Sequence, residues 1–177
     1  MKKFGFLLVC AFIMSSAYAQ TKTTITRQVV RYEVKNMGIT TEGKFSDLQA
    51  DIKFTPAQLA TSSIEASIDA NSINTENTKR DEHLRSEKFF DVAHYAAITL
   101  KSVSFQQKSG NNFKSKFNLT IKGKTKAVDV TFTYTETGNT ASFKGSFKIN
   151  RNDFNVGGSS MVLSDEVTVF IEADITK

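Results

Sequence analysis

Apolar and polar residues alternate with a period of two along most of this chain. Val30, Tyr32 and Val34 alternate with Arg31, Glu33 and Lys35, and Ile64, Ala66 and Ile68 alternate with Ser63, Glu65, Ser67 and Asp69. Phe117, Leu119 and Ile121 repeat the pattern, as do Val128, Val130, Phe132 and Tyr134. So do Phe143, Gly145, Phe147 and Ile149, and lastly Val167, Val169, Ile171 and Ala173. Successive side chains of a strand point to opposite faces, so each run predicts one dry face and one wet face. Turn chemistry separates the runs: Asn36-Met37-Gly38, Ser109-Gly110-Asn111-Asn112, Lys122-Gly123-Lys124 and Thr137-Gly138-Asn139 are hairpin candidates. The single proline, Pro56, marks one further turn. About eight or nine strands with mostly short connections predict an all-β antiparallel fold, a sandwich or a closed barrel.

One stretch breaks the alternation. Residues 74–90 read NTENTKRDEHLRSEKFF, polar and poor in β-branched side chains. It predicts a helical segment near residues 76–88, with Thr75 or Asn77 as its cap. With Leu84 as its one strongly apolar residue before Phe89 and Phe90, it belongs on the surface or across an opening, where long connections often act as lids.

Composition adds a compartment. Lys2 and Lys3, the apolar run from Phe4 to Met14 and the small residues of Ala17-Tyr18-Ala19 read as a signal peptide of residues 1–19, cleaved before Gln20. The apolar run is shorter than the roughly 20 residues a membrane-spanning helix needs, and no long apolar stretch follows, so no stable membrane span is expected. Cys10 is the only cysteine and leaves with the signal, which removes disulfides and thiolate metal sites from residues 20–177. The expected location is the periplasm. The formal charge is +5, two units of it from Lys2 and Lys3, and the rest is dispersed; nucleic acid is not an expected partner. With 15 Phe, 4 Tyr and no Trp, the aromatic content suits a dry core or an oily cavity, since Phe brings no polar group to satisfy.

Catalytic motifs are scarce. No serine sits in a nucleophile elbow, and Gly157-Gly158 lacks the Lys and helix of a phosphate loop, so no cofactor is expected. Asp81, His83 and His94 match no standard metal spacing, and no metal is expected. Arg80, Asp81, His83 and Arg151 form the polar cluster of interest. They read either as a contact for an anionic or polar head group at a pocket mouth, or as ion pairs among Arg80, Asp81 and Arg151 that pin the segment down.

Several motifs in order carry a family resemblance. Asn74-x-x-Asn77-x-x-Arg80-Asp81-x-His83-Leu84-Arg85, followed by Phe89-Phe90-Asp91, resembles the central signature of the YceI-like family of polyisoprenoid-binding, lipocalin-like periplasmic proteins. Tyr32-x-Val34-Lys35-Asn36-x-Gly38 with Gly43-x-Phe45 is similar to its first strand pair. Leu119-Thr120-Ile121-Lys122-Gly123-x-Thr125-Lys126 resembles a later hairpin, and Ile149-Asn150-Arg151-x-Asp153-Phe154-x-Val156-Gly157 a late loop. Ser164-Asp165-Glu166-Val167 precedes the last strand as in the family. Asn36, Tyr95-Ala96 and Asn155 depart from it, where many members carry His, Tyr-Pro and Gly.

The resemblance implies an antiparallel barrel of about eight strands holding a long apolar ligand, an isoprenoid or a fatty-acid derivative, for storage or transport. Tyr32, Phe45, Phe54, Ile68, Phe89, Phe90, Leu100, Phe117, Leu119, Phe132 and Phe147 are the expected cavity residues. An enzyme is not expected. Period two leaves two other readings open: a small outer-membrane barrel, which alternates with the opposite face dry, and a lipid-directed enzyme using Arg80, Asp81 and His83. Small apolar patches are compatible with a homodimer.

Overall fold

The computed structural model describes residues 24–176. The signal peptide and the cleavage point before Gln20 lie outside the described residues. Nine strands form one antiparallel sheet: β1 Thr24–Asn36, β2 Ile39–Phe45, β3 Gln49–Lys53, β4 Ser63–Asp69, β5 Ala97–Ser109, β6 Asn112–Ile121, β7 Lys124–Thr137, β8 Thr140–Asn150 and β9 Leu163–Thr176. The order is β2-β1-β9-β8-β7-β6-β5-β4-β3: neighbours in sequence are neighbours in space except β2 and β3, and β9 returns to pair with β1. The all-β barrel expectation holds, with the nine strands within the eight or nine read from the alternation, one more than the roughly eight that the resemblance implies, and with a different closure. β2 and β3 are the two edges and do not pair with each other among the described residues. The sheet curls into a half-barrel, and the outer edge of β2 bonds instead to the chain before the helix, where Lys44 and Asn74 exchange two backbone hydrogen bonds of 2.9 Å. An uncovered edge is a template for aggregation; a short pairing of this kind blunts it.

The faces follow the alternation. On β7, Val128, Val130, Phe132 and Tyr134 are buried while Asp129, Thr131, Thr133 and Thr135 are exposed. The outward face carries ion pairs such as Lys114–Asp129, Lys148–Glu166 and Arg27–Glu172. An outer-membrane barrel turns an apolar band outward, and this sheet turns charge outward.

The helix, α1, spans Thr78–Arg85, shorter at both ends than residues 76–88. Asn77 caps it: its side-chain oxygen accepts the Arg80 N–H at 3.0 Å. Thr75 is not the cap but part of the brace behind it, its backbone N–H and hydroxyl both donating to the buried Asp81 carboxylate. At the other end Ser86 leaves helical geometry (ψ 165°), and its hydroxyl and N–H both return to the His83 carbonyl. The chain then turns so that Phe89 and Phe90 reach inward against the core.

Candidate functional site

The inside of the half-barrel differs from end to end. At one end it is solid. Phe54, just past β3, stands at the centre of a cluster with its ring centroid 5.3 Å from Phe105, 5.2 Å from Phe113, 5.6 Å from Phe132, 5.0 Å from Tyr134 and 5.6 Å from Phe143. Edge-to-face pairs of this kind add roughly 0.5–1.5 kcal/mol each beyond burial. Toward the other end the inward residues of β1, β2 and β9 are only half-buried: Tyr32, Val34, Phe45, Val167, Val169 and Ile171. They face a cavity of about 500 Å³, within the range of about 300–1,000 Å³ typical of ligand sites.

Ten of the eleven cavity residues named from the sequence line this space. β1 contributes Tyr32, β2 Phe45, β4 Ile68, β5 Leu100, β6 Phe117 and Leu119, β7 Phe132 and β8 Phe147. Phe89 and Phe90 enter from the segment after α1. Phe54 is the exception. It packs below the cavity, and Phe132 and Phe143, which touch both Phe54 and the void, form the floor. The run of inward residues on β9, from Val167 to Ala173, also lines the cavity. Its period-two signal was plain, but alternation says nothing about depth along the barrel.

Polar groups gather at the opposite end, the mouth. Asn36 and Thr41 of the β1–β2 hairpin, Arg80 and His83 of α1, Lys88, and Ser159 and Ser160 of the loop before β9 all border the cavity there. Asn36, Arg80, His83, Lys88 and Ser159 are also exposed, so the opening lies among these three segments.

The sequence-named polar cluster divides into two. Arg80 and His83 belong to the mouth; Asp81 points away, and its carboxylate is occupied by Thr75. Arg80 Nε and Nη2 donate to the Thr75 hydroxyl (2.8 Å) and carbonyl (2.7 Å). The His83 ring stands edge-on to Phe89 at 4.9 Å. Arg151 does not pair with Asp81. It is buried, and its Nε donates to the Ser164 carbonyl (2.9 Å), Nη1 to the carbonyls of Val156 (2.9 Å) and Gly158, and Nη2 to the Leu163 carbonyl (3.1 Å) and the Asp165 carboxylate (2.9 Å). A guanidinium has five N–H donors in a fixed fork, and these are spent on holding the 156–165 loop in shape. Arg151 therefore shapes the mouth rather than closing an ion pair across it.

Tyr32, in the cavity wall, has a displaced titration. Burial pushes its phenol up to about 12; the nearby Arg80 cation works against that shift and Asp81 adds to it. Outside the cavity lining, His94 Nδ1 lies 2.8 Å from the buried Asp91 carboxylate, a hydrogen bond and attraction that raise the imidazole above its ordinary value.

The YceI-like domain profile matches residues 19–175. The chain belongs to the YceI-like family. Among curated YceI relatives, a UPF0312 protein of Vibrio cholerae is 27% identical over 143 residues, covering 75% of this chain and 76% of its own. A UPF0312 protein of Yersinia pestis is 28% identical over 152 residues, covering 82% and 79%. Among solved structures, BcnA of Burkholderia cenocepacia superposes with a TM-score of 0.80 at 30% identity, over 83% of this chain and 95% of that one. A polyisoprenoid-binding domain from Saccharophagus degradans shares the fold, with a TM-score of 0.70 at 16% identity over 88% and 97%. The YceI-like barrel is thus the frame on which this cavity and its mouth are built.

Proposed function

We propose that this protein is a binding protein, not an enzyme, that holds one long apolar lipid, an isoprenoid or a fatty-acid derivative, inside the half-barrel for storage or transport. The observation that carries this reading is the cavity itself: an apolar shaft floored by aromatic rings, with its polar side chains collected at one mouth. An apolar chain removed from water into such a shaft gains about 25 cal/mol per Å² before ordering costs are subtracted. A polar or anionic head then stays at the mouth beside Arg80 and Lys88, where it keeps hydrogen bonds or charge partners that the shaft cannot supply. The shared fold with a domain described as polyisoprenoid-binding supports the ligand class. The signal-like residues 1–19 support a periplasmic location, where a lipid crossing between membranes needs an apolar container.

Native mass spectrometry of protein purified without detergent tests the proposal. The expected result is a bound mass that exchanges for an added isoprenoid or long-chain fatty acid. A chain that is always empty and rejects both ligands overturns it. Cell fractionation tests the location, with recovery in the osmotic-shock fluid expected.

A further inference from the structure

We propose that the rim of the cavity mouth is a membrane-docking surface: the exposed tips Met37, Ile39 and Met161 seat on an anionic lipid bilayer and let an apolar chain pass between bilayer and cavity. This rests on the reading of the cavity as a lipid site. Six large hydrophobic residues are markedly exposed among the described residues, and four of them meet here: Met37 at 76%, Ile39 at 71%, Met161 at 104% and Val162 at 52%. They form one patch, because the Met37 N–H donates to the Val162 carbonyl at 2.8 Å and joins the β1–β2 hairpin to the loop before β9. That patch adjoins the opening, since Asn36, Ser160, Val162 and Leu163 also border the cavity.

Local folding does not account for the residues chosen. Met37 (φ 52°) and Gly38 (φ 80°) are the two central positions of a two-residue hairpin turn, both left-handed. Such turns favour Asn, Asp or Gly at the first position, and a long apolar side chain there costs stability. The hairpin nevertheless places a methionine at that position, pointing into solvent. On the facing loop the Ser160 hydroxyl accepts the N–H groups of Val162 (3.2 Å) and Leu163 (3.0 Å), fixing a turn that throws Met161 fully outward.

Charge at the mouth matches an anionic surface. Lys35, Arg80 and Lys88 have no ion pair among the described residues. Of the acids near them Asp165 is matched by Arg151, and Glu33 and Glu42 by Arg31, while Glu82 and Glu87 are exposed without an ion pair among the described residues and do not line the cavity, so the charged groups bordering the opening are cationic. Apolar tips flanked by unpaired cations are the combination that holds a peripheral protein at an anionic bilayer.

Two measurements test this. The first is co-flotation with vesicles of phosphatidylethanolamine and phosphatidylglycerol, against vesicles of phosphatidylcholine alone. The second is the rate at which a fluorescent long-chain fatty acid moves from those vesicles to the protein, as a function of vesicle concentration. The wild type should float with the anionic vesicles, and its transfer rate should rise with vesicle concentration. The variant M37N/I39T/M161S should lower both readouts by about ten-fold while binding the same probe from solution unchanged, because none of the three residues lines the cavity. Asn at position 37 suits the left-handed turn, so the variant keeps its fold. Lys35→Glu is a second, independent variant and should weaken flotation on the anionic vesicles. A transfer rate independent of vesicle concentration, or equal in wild type and variant, overturns the proposal. So does a wild-type dimer that the variant dissolves without any vesicle binding, which would assign the rim to a second copy. If the probe fails to bind but flotation depends on the rim, the cavity reading falls and the docking surface stands.

Discussion

At the scale of single residues, one close contact and one half-buried phenol define the site. Gly157 has a φ of 76°, its N–H donates to the Lys88 carbonyl at 2.9 Å, and a Cβ there would lie 2.6 Å from the Phe89 ring. Only glycine satisfies both the left-handed backbone and the aromatic ring. Gly157→Ala is expected to cost about 1–3 kcal/mol in urea denaturation and to displace Phe89 from the cavity wall. A variant as stable as wild type would contradict this contact. Tyr32 gives a pH dependence with a definite sign. Its phenol titrates near 10 when unfolded and at about 12 when folded. Below pH 10 both states are protonated and the full stability is present. As pH rises from 10 toward 12 the unfolded chain releases its proton first, so stability falls by roughly 2 kcal/mol across that window. Denaturation midpoints measured from pH 9 to 12 should show this fall in the wild type and a flatter profile in Tyr32→Phe.

At the scale of elements, the alternation exposed which face of each strand is dry, and the polar run from Asn74 to Phe90 exposed the helix and its place at an opening. Depth along the barrel was not legible. Phe54 and Phe147 both lie on dry faces, and alternation treats them alike. What separates them is antiparallel register, a relation between distant segments that no single run contains: Phe54 follows β3 at the end where β6 begins and β7 ends, among Phe113 and Tyr134, whereas Phe147 sits opposite Val169 near the hollow. Arg151 was visible as a motif residue, but four of its partners are backbone carbonyls, which every residue carries, so no sequence pattern could reveal them. The edge pairing of Lys44 with Asn74 was hidden for the same reason. The filled end makes its own prediction. Phe54→Ala removes the ring at the centre of five aromatic contacts and should cost about 3–5 kcal/mol. Because Phe132 and Phe143 form the cavity floor, probe affinity should fall as well; calorimetric unfolding together with probe titration checks both effects.

At the scale of the whole molecule, the fold divides stability from function along one axis: a packed floor holds the sheet together, and that leaves the upper shaft free to stay unfilled. Charges on the outer face and cations at the mouth complete the arrangement. This division can be tested with the same chemical change at the two ends. Ala66 on β4 lines the cavity, and Ala141 on β8 is buried in the aromatic floor. In Ala141→Phe the new ring has no space, and over-packing should cost about 1–3 kcal/mol. In Ala66→Phe the ring projects into the void and adds apolar contact without displacing neighbours, so stability should change by less than about 1 kcal/mol. Its cost should appear in function: the bound mass seen by native mass spectrometry should be lost, or shift to a shorter chain, and the affinity for a long-chain probe should drop about ten-fold. Paired denaturation curves decide the matter. If Ala66→Phe destabilises the protein as much as Ala141→Phe, the upper shaft is packed rather than hollow, and the barrel has no room for a ligand.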